Sequence, residues 1–129
     1  MASKLLKGIA SLSLALSLGL GSATVSAVES KSGQSLEQVV AANGVEVGDI
    51  ACVFFTTTPD LDAAFPATAA REMGWSQVAL LCSHEMDVVG GLPRCLRILM
   101  LVNTEKRSEE IVHIYHKGAE VLRTDLSST

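Results

Sequence analysis

Residues 95–102 read Cys-Leu-Arg-Ile-Leu-Met-Leu-Val, apolar throughout except for Arg97. A run of this length and composition is a strand buried on at least one face. A guanidinium inside it must meet an anion or an acid, because taking it from water unpaired is very costly. Either the fold brings a partner to the middle of this strand, or the strand lies at an edge that exposes the charge. Glu85 and Asp87 are candidate internal partners, and a bound anionic ligand is the alternative.

The elements around this run alternate. Ser35-x-x-Gln38 has the form of a capping box, with Leu36, Val39 and Val40 on one helical face and Asn43-Gly44 as a left-handed stop, so a short helix is expected there after a polar loop at 29–33. Ile50 to Thr57 reads as a buried strand, Thr58-Pro59-Asp60 as a turn, and Pro66 as the start of a helix ending near Gly74. Val78 to Cys82 is a second strand, and Gly90-Gly91-Leu92-Pro93 a loop. Ser108, followed by Glu109 and Glu110, predicts a helix start, and Ala119 to Leu122 a short last strand. Strands alternating with helices imply an α/β or α+β domain.

The amino end reads in more than one way. Met1 to Lys7 is basic, Gly8 to Val28 carries no charge, and Val25-Ser26-Ala27 has the form of a cleavage site. That is the pattern of a secretory signal, and the Ser-rich, acid-poor character also suits a plastid transit segment. Export or plastid targeting follows if residues 1–27 are such a segment, and a cytoplasmic location if they are not. Leu12, Leu14, Leu16, Leu18 and Leu20 alternate with small or polar residues, which is strand periodicity. An atypical first strand or a misassigned gene start are therefore the other readings of 1–27, with residues 28–129 as the domain proper. So many Ser and Gly residues argue against a stable membrane span.

Charge narrows the partners. The formal net charge is −4, and every acidic residue lies beyond residue 27, where eight basic residues face fourteen acidic ones. General nucleic-acid binding needs a basic face and is not expected. Cys52, Cys82 and Cys95 form an odd set without C-x-x-C spacing, so reduced thiols are expected rather than a disulfide framework or a thiolate zinc site. Glu85 and Asp87 could be a carboxylate pair, Cys82 beside His84 a thiol nucleophile, and His113-x-x-His116 two imidazoles on one helical face. Each is also an ordinary surface pattern, and no third metal ligand stands at useful spacing.

Five segments together are more specific. Thr58-Pro-Asp-Leu-Asp-Ala-Ala-Phe-Pro-Ala67, Ala70-Arg-Glu-Met-Gly-Trp75, Glu85-Met-Asp-Val-Val-Gly-Gly-Leu92, Cys95-Leu-Arg97 and Val121-Leu-Arg-Thr-Asp-Leu-Ser127 follow one another as in the small trimeric, monofunctional chorismate mutases. The resemblance covers about residues 36–129. It implies a mixed sheet with helices on one face, assembling as a pseudo-barrel homotrimer with active sites at the subunit boundaries. It also implies a cofactor-free, metal-free rearrangement of chorismate to prephenate in aromatic amino-acid biosynthesis.

By position, Arg97 matches the family's cation at the breaking ether bond, and Glu85 and Cys82 the groups facing the ring hydroxyl. Tyr115 matches a phenol that binds a substrate carboxylate. Phe65 and Leu122 match apolar walls, and Arg71 and Arg123 cations that attract or cover the substrate. The chain departs from the pattern at three places. No Arg precedes residue 71, although the family's first strand supplies one to a substrate carboxylate; Thr68 stands where a Lys is usual; and Thr124 stands where a Pro is usual. An enzyme impaired by the missing Arg is expected, the alternative being an inactive trimeric relative that binds a small acid or a protein partner.

Overall fold

The fold was established as a computed structural model, which describes residues 9–17, 25–116 and 118–128, with side chains from residue 32 to 116 and from 118 to 123. Its frame is a five-stranded sheet, made of β1 (Ile9–Ser17), β2 (Ile50–Thr57), β3 (Ala79–His84), β4 (Cys95–Asn103) and β5 (Ile114–His116), in the order β3-β2-β4-β1-β5. β4 runs antiparallel to both of its neighbours, whereas β2 and β3 are parallel, as are β1 and β5. Two helices, α1 (Val25–Asn43) and α2 (Ala67–Glu72), complete the mixed α+β architecture.

The period of two along β2 and β4 divides the sheet into unequal faces. Val53 and Phe55 of β2 and Leu96, Ile98, Met100 and Val102 of β4 are buried with Leu36 and Val39 of α1, Ala70 of α2, and Leu61, Trp75 and Val78. The opposite face carries Phe54, Arg97, Leu99 and Leu101, and no element among the described residues covers its middle. Leu99 keeps 39% of its surface and Leu81 of β3 keeps 54%. The two helices meet through small residues, with Gly33 close against the Ala69 methyl and Ala69 and Ala70 both buried.

Several sequence expectations need correction. α1 is a 19-residue helix rather than a short one beginning at Ser35. Ser32 and Ser35 are fully or nearly buried within it, so packing against α2 overrides the local capping signal and draws the polar 29–33 stretch into the helix. Its end is as expected: Gly44 adopts φ 61°, and the Val45 N–H donates to the Val40 carbonyl across 3.0 Å. The helix expected at Ser108 is a single 3₁₀ turn, Ser108–Glu110, because Arg107 engages both acids: its N–H donates to Glu110 Oε2 at 2.8 Å and its guanidinium pairs with Glu109. His113 and His116 consequently lie on extended chain, not on one helical face. The expected strand at Ala119–Leu122 is the start of a 3₁₀ segment, Ala119–Ser128, broken at Arg123. Gly118, at φ 89°, turns the chain out of β5 and lets Ala119 bury fully beside Cys95.

Ile9–Ser17 is a strand of the sheet, in keeping with its alternation. Leu12, Leu14 and Leu16 pair in register with Met100, Ile98 and Leu96, the buried positions of β4. The rest of the segment that carries the targeting pattern, residues 1–8 and 18–24, lies outside the described residues. No helix among the described residues is long and apolar enough to cross a membrane.

Candidate active site

Strand register gathers the site. On the uncovered face Ser83 of β3 pairs with Thr56 of β2, Thr56 with Arg97 of β4, Arg97 with Ala15 of β1, and Ala15 with Tyr115 of β5. Positions paired across neighbouring strands share a face, so one row crosses the whole sheet and holds two hydroxyl residues, a guanidinium and a phenol. Glu85 follows immediately after β3, its backbone N–H donating to the Thr57 carbonyl at 2.8 Å. Its carboxylate accepts the Thr56 hydroxyl on one oxygen and faces Arg97 Nη1 at 3.4 Å on the other.

Arg97 therefore has the internal acid that its sequence context demands, but it is not buried. Half of its side chain, 52%, remains exposed, against 22% for Glu85. The strand is central, and only its helix-covered face is dry.

A cavity of about 500 Å³ lies over this pair. The 85–93 loop, the Thr58–Asp60 turn, Cys95 and Leu122 complete its lining. Its rim is fastened by a reciprocal set of bonds. The Thr58 N–H donates to the Cys95 carbonyl at 3.0 Å, the Cys95 N–H to Thr58 Oγ1 at 2.9 Å, and the Arg94 N–H to Asp60 Oδ2 at 2.9 Å. The Thr58 hydroxyl bonds the Asp60 carboxylate as well. That hydroxyl, helped by the Arg94 N–H, holds the Asp60 carboxyl below the usual carboxylate range despite partial desolvation. Arg94 takes a left-handed φ of 51° within this clasp.

The remaining candidates are distributed. Tyr115 is half-buried and packs with Leu92 on the small cluster of Cys95 and Ala119, at the end of the sheet nearest Leu122. Arg123 follows Leu122, and its charge reinforces burial in holding the His113 imidazole below its ordinary value. Cys82 pairs with Phe55 rather than Thr56, so it belongs to the helix-covered side of β3. There it lines a second cavity of about 380 Å³ with Phe65, Pro66 and His84. Phe65 is 74% exposed, which for a phenyl ring in a turn leaves its apolar face unused. Arg71 is exposed on α2 and donates to the Trp75 carbonyl. One chain thus unites Glu85, Arg97 and Leu122, with Tyr115 in the same row, and keeps Cys82, Phe65 and Arg71 elsewhere.

Sequence reading passed over Thr56, which fixes Glu85, and the Thr58–Asp60 clasp at the rim. The signal for Thr56 was present, since it stands two residues beyond Phe54 on the same strand face; its partner across 29 residues was not.

Comparison with known proteins places this geometry. The family model for chorismate mutase type I matches residues 19–126. The chain is 43% identical over 100 residues to the chorismate mutase AroH of Bacillus subtilis, covering 77% of this chain and 79% of that protein. It is 41% identical over 106 residues to the chorismate mutase AroH of Thermus thermophilus, covering 81% and 87%. A solved chorismate mutase from Clostridium thermocellum matches with a TM-score of 0.81 at 41% identity, over 86% of this chain and 97% of that one.

Proposed function

The chain belongs to the chorismate mutase type I family and is a chorismate mutase, and we propose that it rearranges chorismate to prephenate over the Arg97–Glu85 pair. The reaction is pericyclic: one C–O bond breaks as one C–C bond forms, without a covalent intermediate on the protein. The protein must then hold a flexible dianion in its compact reactive shape, worth about 7–11 kcal/mol where fully realised. It must also stabilise charge gathering on the ether oxygen, where one well-placed donor contributes about 3–4 kcal/mol.

One observation carries the assignment of Arg97. Its guanidinium is held in place yet only loosely engaged, by a 3.4 Å contact that is half in water. Such a pair contributes little on its own, so exchanging it for the substrate's ether oxygen costs little. Glu85, kept in position by Thr56, is then free to accept the ring hydroxyl; it transfers no proton. Tyr115 meets a carboxylate, and Leu122 closes an apolar wall. Arg123 covers the mouth as a cation.

We assign Phe65, Cys82 and Arg71 to the same reaction from a neighbouring chain. Two observations support a homotrimer with composite sites. The Leu81–Leu99 face is apolar and left uncovered by the described residues, and Phe65 and Cys82 line a separate cavity, with Arg71 exposed on α2 nearby in sequence. Packing that cavity of one chain on the open face of the next joins the two half-sites.

Prephenate formation by the full chain tests the reading. Arg97→Ala is expected to lower kcat by about a hundredfold or more with the circular dichroism unchanged. Arg97→Lys should restore it only in part, a flexible point charge replacing a planar fork. A folded Arg97→Ala protein with near-wild-type turnover overturns the assignment.

A further inference from the structure

β5 lies at the sheet edge and is only three residues long, its pairing being Leu14, Ala15 and Leu16 with Ile114, Tyr115 and His116. So short a ladder fixes a register weakly, and a slip of one residue would carry Tyr115 to the opposite face. Ile111, just before β5, and Ile114, its first residue, pack against the core and set its depth, but apolar contacts tolerate sliding.

A directional fastening stands three residues before Tyr115. Asn43, the last residue of α1, is only 3% exposed. Its Nδ2 donates to the Val112 carbonyl at 3.0 Å, and its Oδ1 accepts the Val112 N–H at 2.8 Å. The side-chain amide thus acts toward Val112 as a neighbouring strand would. The amide is itself fixed, since Nδ2 also donates to the Val39 carbonyl at 3.0 Å and Lys106 Nζ donates to the Asn43 carbonyl at 2.5 Å. Val112 is 46% exposed, so burial does not hold this residue; the amide does.

We propose that Asn43 is a positioning residue for Tyr115, setting the register of β5 so that the phenol stays in the Arg97 row. The inference rests on the reading of Tyr115 as a substrate contact. It gives the buried polar residue that ends α1 a role beyond capping, because its side chain bonds both backbone groups of a residue 69 positions away.

Tyr115 is the only tyrosine in the chain, so 3-fluorotyrosine labelling yields one ¹⁹F resonance that reports its surroundings directly. The single Trp75, buried in the core, reports separately whether the fold is intact. Asn43→Ala is expected to shift that resonance, to raise KM for chorismate by about three- to tenfold, and to change kcat by less than about threefold, as for partial loss of one charge-assisted contact. The milder Asn43→Asp keeps the acceptor for the Val112 N–H, and it should fall between wild type and Asn43→Ala. In the Asn43→Ala/Tyr115→Phe double variant the two losses should not add. An unmoved resonance in either folded Asn43 variant overturns the proposal, as does full additivity. If Tyr115→Phe alone leaves KM unchanged, the substrate role of Tyr115 falls, while the resonance still decides whether Asn43 positions it.

Discussion

Asp60 gives the site rim a dependence on acid. Its carboxylate binds the Thr58 hydroxyl and the Arg94 N–H, and its folded-state pKa is lowered below the unfolded value. A depressed carboxylate adds stability that is fully present above the unfolded pKa of about 3.9 and is lost as pH falls through the folded value. Thermal melts of wild type and Asp60→Asn should therefore differ by a constant amount near neutrality and converge below about pH 4. A difference independent of pH down to pH 2.5, roughly a unit and a half below that unfolded value, would remove the carboxylate from this account. Arg97 shows what was legible at this scale. Its place in an apolar run demanded an acid, and Glu85 is that acid at 3.4 Å. The expectation of burial failed because an apolar run alone does not say whether one sheet face or two are covered. Thr56 went unrecognised for a related reason: its value lies in a contact with Glu85 that only pairing of β2 with β3 creates.

Among the elements, β1 is where the effect of the missing cation can be tested. It places Ala15 between Arg97 and Tyr115, at the row position where a cation would meet a substrate carboxylate. Ala15→Arg is expected to raise kcat/KM by about one to two powers of ten, the worth of one charge-assisted hydrogen bond. Ala10→Arg, which pairs with Val102 among the buried positions, should give no such gain. Equal rates for wild type and Ala15→Arg would mean that the row is already complete without a charge there. Legibility among elements follows the strength of the local signal. Ile50–Thr57 and the strand from Cys95 were readable from apolar runs between turn residues, and the helix after Pro66 from its fixed φ. The two failures near the carboxy end share a cause. Ser108–Glu110 and Ala119–Leu122 are short and polar or ambiguous, and their conformations answer to Arg107, Gly118 and the clasp at Asn43 rather than to periodicity. Ser35 misled for the opposite reason, a good capping sequence lying in the middle of a helix held by its packing on α2.

At the scale of the molecule the uncovered sheet face dominates. Leaving Leu81 and Leu99 in water forgoes roughly 25 cal/mol for each Å² of apolar area that association would bury. Sedimentation at micromolar concentration is expected to show a trimer, and Leu99→Glu should yield monomers that have lost activity with their secondary structure intact. A fully active monomer would rule out composite sites. The sheet order has a consequence in time as well as in space. β1 leaves the ribosome ahead of the other strands of this sheet, yet its two neighbours begin at Cys95 and Ile114. A strand made early is thus among the last that can be seated, and such long-range closure is slow. Until it closes, one side of β4 offers unpaired N–H and C=O groups to any passing strand. Yield from rapid synthesis should therefore depend on how quickly Ile9–Ser17 finds its slot, and a chain with β4 made but β1 not yet seated on it would be the species most prone to aggregate.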